Sequence, residues 1–142
     1  MKLVLTMLVA VAVAVAVAGS AVAATGKSLH NSATLTIKHQ TRGCHSWSFD
    51  GKSWHATQTI TLARGGVLAV VNNDVMPHKL IQVSGPKATV AGPTMGHMHM
   101  SAHVAFSAKG VYVFKTKAGE DYMKGIKTIG EDNVLKLVVT VT

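Results

Sequence analysis

Cysteine is almost missing from this chain: Cys44 is the only one in 142 residues, so no internal disulfide can staple the fold in any redox compartment. Acidic residues are scarce as well. Six Asp and Glu stand against fourteen Lys and Arg, a formal net charge of +8. Charged residues make up only 14% of the chain, against roughly 25% in an average soluble protein. With 48% hydrophobic residues, disorder is excluded for most of the sequence. Aromatics amount to 5% and the basic residues are spaced singly, which speaks against a nucleic-acid partner. Such a charge favours an anionic membrane surface or an acidic protein partner instead. Catalytic constellations are missing too. Glu120 and Asp121 are adjacent and point apart in an extended loop, and nothing pairs Ser or Cys with both a base and an orienting group, so the chain is not expected to be an enzyme.

The one long apolar run lies at the N-terminus. Lys2 precedes Leu3 to Ala18, followed by Gly19, Ser20 and Ala21-Val22-Ala23-Ala24. The run is shorter than the about 20 residues of a spanning helix, and it ends in an Ala-x-Ala pattern, the order of a secretory signal. The expectation is a signal peptide over 1–24, cleaved near Ala23 or Ala24, and a single domain over 25–142. Its destination is the periplasm, the cell surface or the medium.

No stretch beyond the leader keeps a period near 3.6. Leu35 and Ile37 alternate with Thr34, Thr36 and Lys38, and Trp47 and Phe49 alternate with Ser46 and Ser48 before an Asp50-Gly51 turn. Thr57 to Arg64 and Val67 to Val71 read as two strands joined by a tight turn at Gly65-Gly66. Further strands are expected over His78 to Val83, around Val104 and Phe106, over Val111 to Thr116, and over Asn133 to Thr142. About eight short strands between Gly, Asn, Asp and Pro punctuation predict an all-β, antiparallel Greek-key sandwich.

Three groups of residues carry potential chemistry. Met95, His97, Met98, His99, Met100 and His103 fall within nine residues, on a stretch that Gly92, Pro93 and Gly96 mark as a loop. Thioethers are soft ligands that select Cu(I), and imidazole accepts Cu(I) or Cu(II), so this mixture suits copper far better than calcium or magnesium. Asn72-Asn73-Asp74-Val75-Met76-Pro77-His78 is a turn that delivers one His at the start of a strand. Cys44-His45, with His39 shortly before, places a thiol among imidazoles, without the second Cys pair of a zinc pattern. Neighbours on a strand face opposite sides, so Cys44 and His45 can both be ligands only where the chain is irregular.

These pieces resemble the cupredoxin family, the copper β-sandwiches that include plastocyanin and pseudoazurin. Asn73-Asp74-x-x-Pro77-His78 is similar to the family's N-x-D-x-x-x-H stretch, and Gly110-x-Tyr112-x-Phe114-x-Thr116 matches Gly-x-Tyr-x-Phe/Tyr-x-Cys in all but its last residue. The resemblance implies a cupredoxin-like fold with His78 as a copper ligand. It also implies that one end of the sandwich gathers the segments 41–46, 72–78, 92–103 and 117–130, which carry the candidate ligands. The departures exclude a blue-copper site of the usual build. Thr116 stands where the family has its thiolate, the downstream His is replaced within Lys117 to Tyr122, and only Met123 lies near the place of the axial Met.

The first functional expectation is an exported copper-binding protein for delivery, storage or detoxification of Cu(I) or Cu(II). His78, Cys44 and His45 would form its central site, with the Met/His loop as a separate Cu(I) port. Its partner would be an acidic redox or copper-transfer protein. The second is an electron carrier with a rearranged site of Cys44, His45, His78 and Met123. The third is a metal-free interaction domain. If Cys44 is buried core, the site must be rebuilt around His78, the loop histidines and Glu120.

Overall fold

The structure, a computed structural model, describes residues 29–39, 45–118 and 134–142; the expected signal peptide and the candidate ligands Cys44, Glu120 and Met123 lie outside the described residues. The strands are β1 His30–His39, β2 His45–Ser48, β3 Thr57–Asn73, β4 His78–Ser84, β5 Thr89–Ala91, β6 Thr94–Met95, β7 Ser101–Ala105, β8 Gly110–Ala118 and β9 Lys136–Val141. No helix occurs among the described residues. Alternation sets the faces, as a period of two requires. Leu35 and Ile37 of β1 and Leu137, Val139 and Val141 of β9 are buried, while Thr34, Lys38 and Lys136 are exposed.

Hydrogen bonding follows the path β2-β1-β3-β9-β8-β4-β6, with β7 against β3 and β5. The two halves of β3 serve different neighbours. Thr57 to Leu62 pairs with β9, and Val67 to Asn73 lies between β1 and β7. One strand thus joins the two layers of the sandwich.

Here the structure corrects the sequence reading, because Gly65-Gly66 is not a turn between two strands. β3 runs unbroken for 17 residues, and the glycines bend it. Gly65 has φ +81°, its N–H donates to Phe106 O at 2.8 Å, and Phe106 N donates back to Gly66 O at 3.1 Å. A Cβ on Gly66 would meet Ala63 O at 2.8 Å. An extra-flexible pair inside a strand makes a bulge as readily as a hairpin, and here the ladder continues through it.

The sheet is also mixed, not purely antiparallel. β1 and β3 run parallel, as do β3 and β9. The chain reverses from β1 into β2 and reverses again around Asp50, where Trp47 and His55 form an antiparallel bridge, so β3 emerges running with β1. The short strand β6 falls where the sequence reads as loop, and β5 just before it.

Trp47, Phe106, Tyr112 and Phe114 fill the core with Leu35, Leu62, Leu68 and Leu137. Phe106 meets Tyr112 edge-on at 4.9 Å between centroids, a favoured aromatic geometry. Tyr112 Oη donates to Ala108 O at 2.6 Å. Where β3 ends and β4 begins, the core turns polar: Asn72, Asp74 and His78 are all buried.

Candidate metal centre

Two successive side-chain-to-backbone turns build this end of the molecule. Asn72 Oδ1 accepts the Asp74 N–H at 2.9 Å, and Asp74 Oδ1 accepts the Met76 N–H at 3.0 Å. Asn and Asp form such turns readily because their short side chains imitate a backbone carbonyl. The coil folds the Asp74 carboxylate inward, and after Pro77 the chain enters β4 with His78 fully buried. From the other layer, the β1–β2 hairpin supplies two more rings. His39 and His45 are register partners at the end where the chain passes from β1 to β2, with His45 buried and His39 half-exposed.

These groups converge on one carboxylate. His45 Nδ1 lies 2.6 Å from Asp74 Oδ2, His78 Nε2 lies 3.2 Å from the same oxygen, and His39 Nδ1 lies 3.7 Å from Asp74 Oδ1. The His45 and His78 rings stand nearly perpendicular with centroids 4.7 Å apart. Burial works against a charge on Asp74, but hydrogen bonds from His45, His78 and the Met76 N–H outweigh it. Its carboxyl is held well below the usual carboxylate range.

A carboxylate can only accept, so each ring commits one N–H to Asp74 and keeps a lone pair on its other nitrogen. Those nitrogens, His45 Nε2 and His78 Nδ1, are buried without any partner, as are the neighbouring Ser46 Oγ and Trp47 Nε1. Buried polar atoms normally find partners. In each neutral ring the nitrogen opposite the carboxylate is thus a free donor, the way ligating histidines are oriented. One ligand atom from each of His39, His45 and Asp74 also falls within 4.8 Å of the others. Sulfur is nearby. Met95 in β6 is the register partner of His78 and is fully buried beside it.

The candidates of the sequence reading therefore divide. His39, His45 and His78 come together, and Met95 joins them instead of the loop to which its spacing assigned it. His97, Met98, His99 and Met100 form a surface turn, and His103 lies on β7, exposed, with Nε2 3.0 Å from Ser101 Oγ. Thr116, at the place where the resemblance puts a thiolate, is buried opposite Leu80. Sequence reasoning missed Asp74, treating it as turn punctuation. The available signal was an acid four residues before His78 in a chain with only six.

No protein-family model matches the sequence, and no curated protein matches it. Solved structures do. The purple cupredoxin of Nitrosopumilus maritimus is similar at 15% identity and TM-score 0.46, over 78% of this chain and 99% of that one. A reduced amicyanin variant is similar at 14% identity and TM-score 0.44, over 75% of this chain and 80% of that one. A cysteine protease inhibitor from Entamoeba histolytica is similar at 11% identity and TM-score 0.43, over 78% and 97%. The all-β sandwich, with one strand shared between its layers, fits the cupredoxin-like fold implied by the sequence motifs. What the site does is a separate question, since one such sandwich serves unrelated functions.

Proposed function

We propose that this chain is an exported copper-binding protein that handles the ion and does not transform a substrate. The observation that carries the reading is the shared carboxylate: Asp74 holds His45 and His78 by one nitrogen each and leaves the other nitrogen of each buried and unpartnered. Imidazole suits copper in either oxidation state, and the buried Met95 thioether beside His78 adds a soft donor that favours copper over magnesium or calcium. His45 and His78 would hold the ion, with Asp74 as the group that orients both rings. Thr116 offers a hydroxyl where electron-transfer sites of this fold family have a thiolate, which supports handling over electron transfer.

The test is copper titration of the mature protein, followed by electron paramagnetic resonance of the Cu(II) form. One equivalent with nitrogen couplings is expected, lost in His45→Ala and in His78→Ala. Cys44→Ser, run alongside, decides whether the thiol takes part. Undiminished binding in both His variants would overturn the site. N-terminal sequencing of the exported protein, with a start near residue 24 or 25 expected, tests the export.

A further inference from the structure

The turn between β6 and β7 carries four potential ligands, His97, Met98, His99 and Met100, that take no part in the His45–Asp74–His78 centre. One buried residue fixes its backbone. Asn72 donates its N–H to Met100 O at 2.9 Å and accepts at its own carbonyl from His99 N at 2.6 Å. Its side-chain amide donates to Met95 O at 3.2 Å and to His97 O at 3.4 Å. A Met100 N to His97 O bond of 3.3 Å closes the turn. Held in this way, His99 adopts φ +69°, a left-handed conformation that non-glycine residues seldom take.

The anchored backbone here carries side chains that reach the surface. His97 and His99 are exposed, and Met98 and Met100 are 38% and 36% exposed. Met is a flexible filler of cores, yet these two lie on an anchored surface turn and stay partly open to solvent. Gly96 lies against one sulfur, since a Cβ there would be in van der Waals contact with Met100 Sδ at 3.9 Å. His97 Nδ1 lies 3.0 Å from Met98 O. A carbonyl only accepts, so Nδ1 carries the proton and Nε2 keeps its lone pair, the tautomer of a metal ligand whose other nitrogen is fixed.

We propose that the His97–Met100 turn is a second metal site, on the surface, which takes a soft monovalent ion, Cu(I), through the Met98 and Met100 thioethers and His97 Nε2. Two thioethers and one imidazole select Cu(I) over divalent ions that prefer oxygen. The preset backbone lowers the ordering cost of gathering them. The site rests on the turn alone, so it stands whether or not the buried centre holds copper. Asn72 links the two, because the side chain that tethers the turn also accepts the Asp74 N–H.

The test uses the mature chain with Cys44→Ser, so that no thiol competes, and methionines labelled at their methyl carbons. Ag(I), a soft ion with no redox chemistry under these conditions, is titrated first, then Cu(I) without oxygen. The Met98 and Met100 methyl signals are expected to move and to saturate at one equivalent while Met95 stays still. Met98→Leu with Met100→Leu is expected to lower the affinity of this step by more than about tenfold, the scale on which even outer-shell changes act. His78→Ala should leave the step intact, even where the same substitution removes Cu(II) from the buried centre. Unmoved Met98 and Met100 signals, movement of Met95 in the first equivalent, or full affinity in the double Leu variant would each overturn the proposal.

Discussion

His45 Nδ1 lies 2.6 Å from Asp74 Oδ2, although 29 positions separate the two residues in the chain. The bond ties the β1–β2 hairpin to the turn between β3 and β4 and fixes the orientation of the ring. Since the same oxygen also holds His78, the geometry of the centre is set by the protein before any ion arrives. An arrangement of this kind reduces the cost of ordering ligands on binding.

Asp74→Ala should therefore destabilise the protein even without metal. It strands two buried ring N–H groups and the Met76 N–H, at about 1–3 kcal/mol for each group left unsatisfied, so a loss of several kcal/mol is expected. Asp74→Asn keeps one acceptor and should cost less. Urea unfolding of the metal-free proteins measures both. A loss for Asp74→Ala no greater than for a surface substitution would show that the carboxylate is not what holds the rings.

A separate acid dependence is expected at Asp50. The N–H groups of Ser53 and Lys52, then the Ser48 and Ser53 hydroxyls, hold its carboxyl well below the usual range, with the Ser53 N–H at 2.7 Å and the Lys52 N–H at 2.8 Å from Oδ1. A group depressed on folding stabilises fully above its unfolded value of about 3.9, and that contribution is lost as pH falls through the lower folded value. The stability difference between wild type and Asp50→Asn should hold from neutral pH to about 4 and shrink below it. Denaturant midpoints across that range provide the check, and a difference independent of pH would contradict it.

The strands were largely legible because period-two alternation is a local signal: Leu35, Ile37, Leu137, Val139 and Val141 all lie on the buried face that their spacing implies. Pairing was less so. A Gly-Gly pair is compatible with either a hairpin or a bulge, and only the partners of Gly65 and Gly66 across β3 and Phe106 decide between them. In the candidate site, His78 could be read from its turn, and His39 and His45 from their proximity to Cys44. Asp74 could not, because its role depends on rings delivered by other strands, His45 by β2 and His78 by β4. Met95 was misgrouped for a related reason: spacing places it with Met98 and Met100, while its strand register places it with His78.

The bend in β3 makes its own prediction. Gly66→Ala puts a Cβ 2.8 Å from Ala63 O and 3.2 Å from Leu62 Cβ, and the first contact is with backbone that cannot rotate away. A loss of about 1–3 kcal/mol is expected, the usual cost of forcing extra volume into a packed site. Ala at surface Gly96, where a Cβ would make only an ordinary contact with Met100 Sδ at 3.9 Å, serves as the comparison. Equal thermal stability of the two variants would mean that the bulge can relax.

One end of the β8–β9 ladder sets two like charges opposite each other, a pairing that one substitution should improve. Lys115 is directly opposite Lys136 in the antiparallel register. Both described carboxylates are engaged elsewhere, Asp50 in its turn and Asp74 with the histidines. Like charges directly opposite each other destabilise a sheet, and opposite charges contribute about 0.2–1 kcal/mol. Lys136→Glu converts the first kind of pair into the second without touching the Lys136 N–H, which donates to Ala56 O. Stability should therefore rise by up to about 1 kcal/mol at low salt. In about 1 M salt, where screening acts over about 3 Å, most of the gain should vanish. Lys115→Glu with Lys136→Glu restores a like-charged pair and should return stability toward that of the wild type. Urea unfolding of the three proteins at both salt concentrations measures the effect. A gain that persists undiminished at high salt, or survives in the double variant, would assign it to strand propensity and not to charge.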